Sequence, residues 1–144
     1  MIIMEQRLTI ITLAVKDVYL ATAFYEDCFG WEKTADSNAN ISFFNLNGIL
    51  LALYERSALA EDANTTPAGE GFPSFTLAHN TRSEAEVDQL VSSLRAKGAT
   101  VQKEAQRVEW GGYSAYVKDL DGYLWEIAFN PFLSLDHKGM VGQE

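Results

Sequence analysis

The 144-residue chain is poor in cysteine, proline and histidine, with one, three and two of each, and it has only 11 basic residues against 20 acidic ones. The lone Cys28 excludes an intramolecular disulfide and a cysteine-based metal cage. A formal charge of -9 without any basic cluster excludes the footprint of a nucleic-acid binder and works against an anionic membrane surface. No apolar run approaches the roughly 20 residues of a membrane span. Met1–Arg7 shows neither the positive segment nor the cleavage pattern of a signal peptide. These absences lead to the expectation of a soluble cytoplasmic protein with no membrane or nucleic-acid partner. What is present is ordinary for a globular chain: 47% hydrophobic and 22% charged residues, which rules out wholesale disorder. The length suits one domain and can bury about 70% of the surface of the unfolded chain.

Self-similarity is the most informative feature. Ile11-Thr12-Leu13-Ala14 recurs as Phe75-Thr76-Leu77-Ala78, 64 positions later. Each copy reads as a strand and is followed by a helical stripe. In the first copy Ala21, Phe24, Tyr25 and Cys28 share a face, with Asp17 as N-cap and Gly30 as stop. In the second, Val87, Leu90, Val91 and Leu94 have that spacing, Ser83 and Glu86 form a capping box, and Gly98 ends the run. Strands are predicted over Trp31–Ala35, Ile41–Leu46 and Ile49–Glu55, then Ala99–Glu104, Tyr113–Lys118 and Tyr123–Phe129. Asn47-Gly48 and Asp121-Gly122 are the hairpin turns.

The chain therefore reads as an α+β domain over residues 1–144: two βαβββ modules in tandem, forming a curved mixed sheet around a cleft, with the helices on the convex face. Module one covers about 8–56 and module two about 73–130. Residues 57–72, without periodicity, read as a linker or flap, and 131–144 as a frayed tail. Two-residue alternation separates two faces, and if Glu126 lies on the concave one, that face is the cleft. It carries Ile10, Thr12, Leu50, Ala52, Tyr54, Ser74, Thr76, Ala78, Leu124, Glu126 and Ala128. Ile11, Leu13, Val15, Leu51, Leu53, Phe75, Leu77, Trp125, Ile127 and Phe129 lie on the bulkier face that suits the helices. One of Phe43 and Phe44 faces the cleft. Cys28 reads as a small core residue, and His79 as a strand-end residue facing away from the cleft.

The arrangement resembles the vicinal oxygen chelate superfamily, which includes glyoxalase, bleomycin-resistance proteins and extradiol dioxygenases. The residues that carry the resemblance are Ile11 to Asp17, Ala23-Phe24-Tyr25, Phe29-Gly30-Trp31 and Asp119-Leu120-Asp121-Gly122-Tyr123-Leu124-Trp125-Glu126. Trp110-Gly111-Gly112-Tyr113 and Asn130-Pro131-Phe132 resemble a glyoxalase-like branch. The resemblance implies four metal-ligand positions, at Ile10, Ala52, Ser74 and Glu126. Ile10 and Ala52 cannot ligate, and Glu126 alone would hold a divalent metal weakly. A tightly held catalytic metal is not expected, and no other cofactor is implied.

Glu126 stands in an otherwise apolar strand, where a carboxylate is costly unless paired, hydrated or protonated. It reads either as an acceptor or general base facing a ligand, or as the remnant of a lost metal site. Thr12, Phe43, Tyr54, Ser74, Trp110 and Tyr113 complete the ligand-binding candidates. Trp110 and Tyr113 enter because paired glycines allow close approach while flanking rings close over a planar compound. The expected function is binding of a small apolar or aromatic molecule in the cleft. The alternative is a lyase, isomerase or dioxygenase-type enzyme that uses Glu126 with a weak or rebuilt metal site. A homodimer is expected in either case.

Overall fold

The computed structural model describes residues 4–141. Among them the elements run β1 (Ile10–Val15), α1 (Val18–Cys28), β2 (Ile41–Asn45), β3 (Leu50–Glu55), α2 (Arg56–Asp62), β4 (Leu77–Asn80), α3 (Glu84–Ala96), β5 (Thr100–Arg107), β6 (Tyr113–Lys118) and β7 (Leu124–Phe129). The strands form two mixed sheets, ordered β1-β3-β2 and β4-β7-β6-β5. β1 runs parallel to β3 and β4 parallel to β7, while the hairpin partners are antiparallel. This is the expected α+β tandem arrangement.

The helices start and stop where the sequence places them. The Asp17 carboxylate accepts the Leu20 N–H, and Ala21, Tyr25 and Cys28 turn inward before Gly30 takes a φ of 72°. At α3 the Ser83 hydroxyl accepts the Glu86 N–H while the Glu86 carboxylate accepts the Arg82 N–H, so orphan donors are satisfied from both sides. Asn47 and Gly48 both have positive φ, 58° and 104°, as a tight hairpin turn between β2 and β3 requires.

One core lies between the sheets and the two long helices. Leu13, Val15, Leu51, Leu53, Val117, Trp125 and Ile127 of the strands meet Val18, Ala21, Tyr25, Val87, Val91 and Leu94 of the helices. Both modules contribute to it, which explains why neither half buries its helix alone. The Asp119–Gly122 turn fastens them together. Asp119 Oδ1 accepts the N–H groups of Asp121 and Tyr123, and its Oδ2 accepts the Tyr25 hydroxyl at 2.6 Å. Asp121 Oδ1 accepts the Lys16 N–H, and the Tyr123 hydroxyl donates to the Ala14 carbonyl.

Four expectations need correction. Trp31–Ala35 is not a strand: its one ladder-like bond runs from Thr34 N to Phe43 O, and the Trp31 ring turns into the core against Tyr25, 5.7 Å between centroids. The linker contains α2, which the Glu55 carboxylate caps by accepting the Ala58 N–H, and which has neither glycine nor proline within it. Ser74 and Phe75 precede β4 rather than belonging to it. Ser74 has a φ of 71°, directly after Pro73, so the two-residue alternation does not reach back to 74, and Phe75 packs on Tyr123 instead of in the core. The tail is docked as far as Val141. Leu135 bridges to Val141, Arg82 donates to the Asp136 carbonyl, and Asn47 donates to the Lys138 carbonyl. The tail expectation for 142–144 lies outside the described residues.

Candidate functional site

The face turned away from the helices is built from one row of side chains in each sheet. In the first sheet Ala52 stands between Thr12 of β1 and Phe43 of β2. In the second, Glu126 stands between Ala78 of β4 and Tyr116 of β6. Phe44, opposite Leu51, is the core-facing member of its pair. Directly opposed residues in neighbouring strands have Cβ atoms about 5 Å apart, so the Tyr116 phenol and the Glu126 carboxylate share one small area. Both are half-buried. The phenol is held above its ordinary pKa, first by burial and then by the Glu126 charge. Ser114 and Ala128 form the next pair on this face, both buried.

Tyr116 is the residue that the strand patterns left unassigned. Counting outward from the Asp121-Gly122 turn, with Lys118 opposite Leu124, places 116 opposite 126, so the signal was in the hairpin register.

The remaining candidates disperse. Tyr113 is a correction: its hydroxyl donates to Asp88 on α3 at 2.6 Å, on the helix side with Ala115 and Val117. That hydrogen bond is also the first cause of its raised pKa. Tyr54 lines a cavity of about 430 Å³ with Asp17, Tyr19, Asn40 and Ala58, at the end of β3 that leads into α2. Ser74 lines another, of about 450 Å³, with Lys16, Arg56, Asp121 and Tyr123. There the Arg56 guanidinium donates to the carbonyls of Pro67 and Gly69 and holds the 63–76 strap in place. Glu126 lines neither cavity.

The Trp110 ring lies over the backbone of Gly112, filling the place a side chain there would take, and a Cβ on Gly111 would come within 3.1 Å of the Phe132 ring. The paired glycines thus serve packing of the chain on itself. Gly112 is four residues from Tyr116, about 13 Å along a strand. His79 pairs opposite Ile127, on the core side, as the alternation predicts.

The donor set does not suit a glyoxalase-type metal. Ile10 carries no donor atom, and the methyl of Ala52 is completely buried between Thr12 and Phe43. Ser74 is displaced from the strand by its left-handed backbone. Only Glu126 offers an anionic ligand, and among the described residues no three His, Cys, Asp or Glu side chains converge to hold an ion. The first row presents the Phe43 ring as apolar surface, and the second presents Glu126, which can accept a proton or hydrogen bond, and Tyr116, which can donate one.

Comparisons with known proteins identify the family and the fold. A family model described as the Glyoxalase/Bleomycin resistance protein/Dioxygenase superfamily matches residues 7–127. The chain is similar to the fosfomycin resistance protein FosX of Listeria monocytogenes, with 29% identity over 123 residues, 81% of this chain and 84% of that protein. Among solved structures, a glyoxalase-related enzyme from Fulvimarina pelagi superposes with a TM-score of 0.86 at 36% identity, covering 96% of this chain and 98% of that one. A lactoylglutathione lyase from Agrobacterium tumefaciens superposes with a TM-score of 0.68 at 25% identity, covering 87% and 94%.

Proposed function

Because this chain belongs to the Glyoxalase/Bleomycin resistance protein/Dioxygenase superfamily, we propose that its helix-free face binds a small apolar or aromatic molecule with one polar group, without a tightly held metal. The observation that carries this reading is the direct opposition of Tyr116 and Glu126, beside the small residues Ala78 and Ala128. A ligand site needs mostly apolar lining with a few placed polar groups, and this pair supplies one donor and one acceptor. The ring of Phe43, in the row of the other sheet, is the stacking surface.

The test is a melting-temperature screen against small aromatic acids, dicarbonyl compounds and fosfomycin, since a ligand of the folded form raises the midpoint. A hit whose shift disappears in both Glu126→Gln and Tyr116→Phe supports the reading. Shifts that survive both variants place the ligand elsewhere and overturn it. Metal content after purification without chelators is the second measurement. Near-stoichiometric zinc, nickel, manganese or iron would contradict the donor inventory.

The Tyr116–Glu126 pair also favours a second reading, a lyase- or isomerase-type enzyme. There Glu126 would take a proton next to a carbonyl, and the Tyr116 hydroxyl would hydrogen-bond the oxygen on which charge develops. Turnover of a screening hit that is lost in Glu126→Gln separates this reading from binding alone. We also propose a homodimer as the working unit. β1 is an edge strand, and Leu8 just before it and Ile10 at its start are exposed, an apolar edge that a second copy would cover. Sedimentation of the purified chain as a monomer at micromolar concentration would reject it.

A further inference from the structure

A cavity of about 200 Å³ lies on the opposite side of the second sheet from Glu126, where the two modules meet under α3. Phe29 and Trp31, which follow α1, and Trp125 of β7 form its aromatic walls, and Leu90 and Leu94 of α3 line its helix side. The three rings stand nearly perpendicular to one another, with centroids 5.0 Å apart for Phe29 and Trp31, 5.3 Å for Phe29 and Trp125, and 5.6 Å for Trp31 and Trp125. They therefore present both ring faces and ring edges, the two partners that a further ring needs for tilted packing. The polar complement is small: the Trp125 indole N–H is already given to the Tyr25 hydroxyl, which leaves the imidazole of His79 at the mouth. His79 keeps solvent access, while its apolar surroundings push its pKa below the ordinary value, so it is neutral near pH 7 and can donate or accept.

Size selects the occupant. An apolar cavity of about 150 Å³ accepts benzene and excludes water. The 200 Å³ pocket, open to solvent on the His79 side, matches a single ring with one small substituent whose polar group sits at the mouth. We propose that this cavity is a second small-molecule site, separate from the Tyr116–Glu126 face, that takes a single-ring aromatic compound whose one hydroxyl or amino group meets His79.

The experiment uses the full chain and 4-fluorophenol as probe, followed by its fluorine resonance, with fluorobenzene as the compound lacking the hydrogen-bonding group. Saturable binding of 4-fluorophenol is expected, weaker by about fivefold for fluorobenzene, the worth of one neutral hydrogen bond. His79→Ala should remove that preference without unfolding the chain, because the residue is exposed. Leu90→Phe, at a half-buried position, should fill the cavity and abolish saturation. Glu126→Gln should leave binding unchanged, which keeps this inference distinct from the first site. Absence of saturable binding at millimolar probe overturns the proposal. So does binding that Glu126→Gln removes and Leu90→Phe does not, or a dimer that Leu90→Glu splits, which would make a second copy the occupant.

Discussion

The Tyr25 hydroxyl donates to Asp119 Oδ2 at 2.6 Å across 94 positions of sequence, and it accepts the Trp125 indole N–H at 3.1 Å. All three side chains are buried, so a helix of module one and two elements of module two are joined by a polar chain inside the shared core. Such a chain is stabilising while every member is satisfied and costly when one is removed.

Tyr25→Phe tests that chain with minimal change of shape. It leaves the Trp125 donor unpaired and takes one partner from the Asp119 carboxylate. We expect a loss of about 1–3 kcal/mol in unfolding free energy, read from urea curves with unchanged slope. A loss below a few tenths would show that water replaces the phenol and that the modules are held by apolar packing alone.

The acid dependence of stability should carry the mark of Asp119. Burial raises its pKa above the ordinary carboxylate value, more than its hydrogen bonds from Tyr25, Tyr123 and Asp121 lower it. The folded chain therefore holds this proton to a higher pH than the unfolded chain does. The stabilisation is complete below the unfolded value and is lost as pH rises through the folded one. Relative to Asp119→Asn, which stays neutral throughout, the wild type should lose stability over that interval and then level off. A relative gain with rising pH would show that the hydrogen bonds win over burial.

Much of this was readable in the sequence because it rests on local signals. The caps at Asp17 and Ser83 and the Asn47-Gly48 turn are set by side-chain and backbone chemistry within a few residues. The core face followed from alternation, since Leu51, Leu53, Trp125 and Ile127 are all buried. The misread segments are those where a distant partner decides. Trp31 left its expected strand for an aromatic cluster that includes Trp125 from the other module. Tyr113 was assigned to the cleft by its neighbouring glycines, but Asp88 on α3 holds it on the opposite side. The family resemblance located Glu126 and its empty companions, but only the β6–β7 register revealed Tyr116 beside it.

Gly112→Ala tests why the chain has paired glycines next to Trp110. A methyl group at 112 would coincide with the indole ring, so the ring must swing aside. Trp110 is 48% exposed and free to do so. Gly112 itself is buried beneath that ring, so losing the cover should cost about 1 kcal/mol, a usual size for a single substitution, while the Trp110 emission shifts towards that of a solvated indole. A large loss of stability with unchanged emission would mean that the backbone, not the ring, gives way.

The opposition of Tyr116 and Glu126 can be tested without any ligand. The Glu126 charge is the second cause, after burial, of the raised Tyr116 pKa. A negative charge nearby disfavours the phenolate, so neutralising it must ease ionisation. In Glu126→Gln the Tyr116 phenol should titrate at lower pH than in the wild type, with burial alone keeping it above its ordinary value. Nuclear magnetic resonance of ring-labelled tyrosine, assigned through Tyr116→Phe, resolves this phenol from the others. The variant is isosteric, so an unchanged Tyr116 titration could not be blamed on repacking. It would mean that the two groups do not sense each other, and the donor–acceptor pair on which ligand recognition is built would be lost.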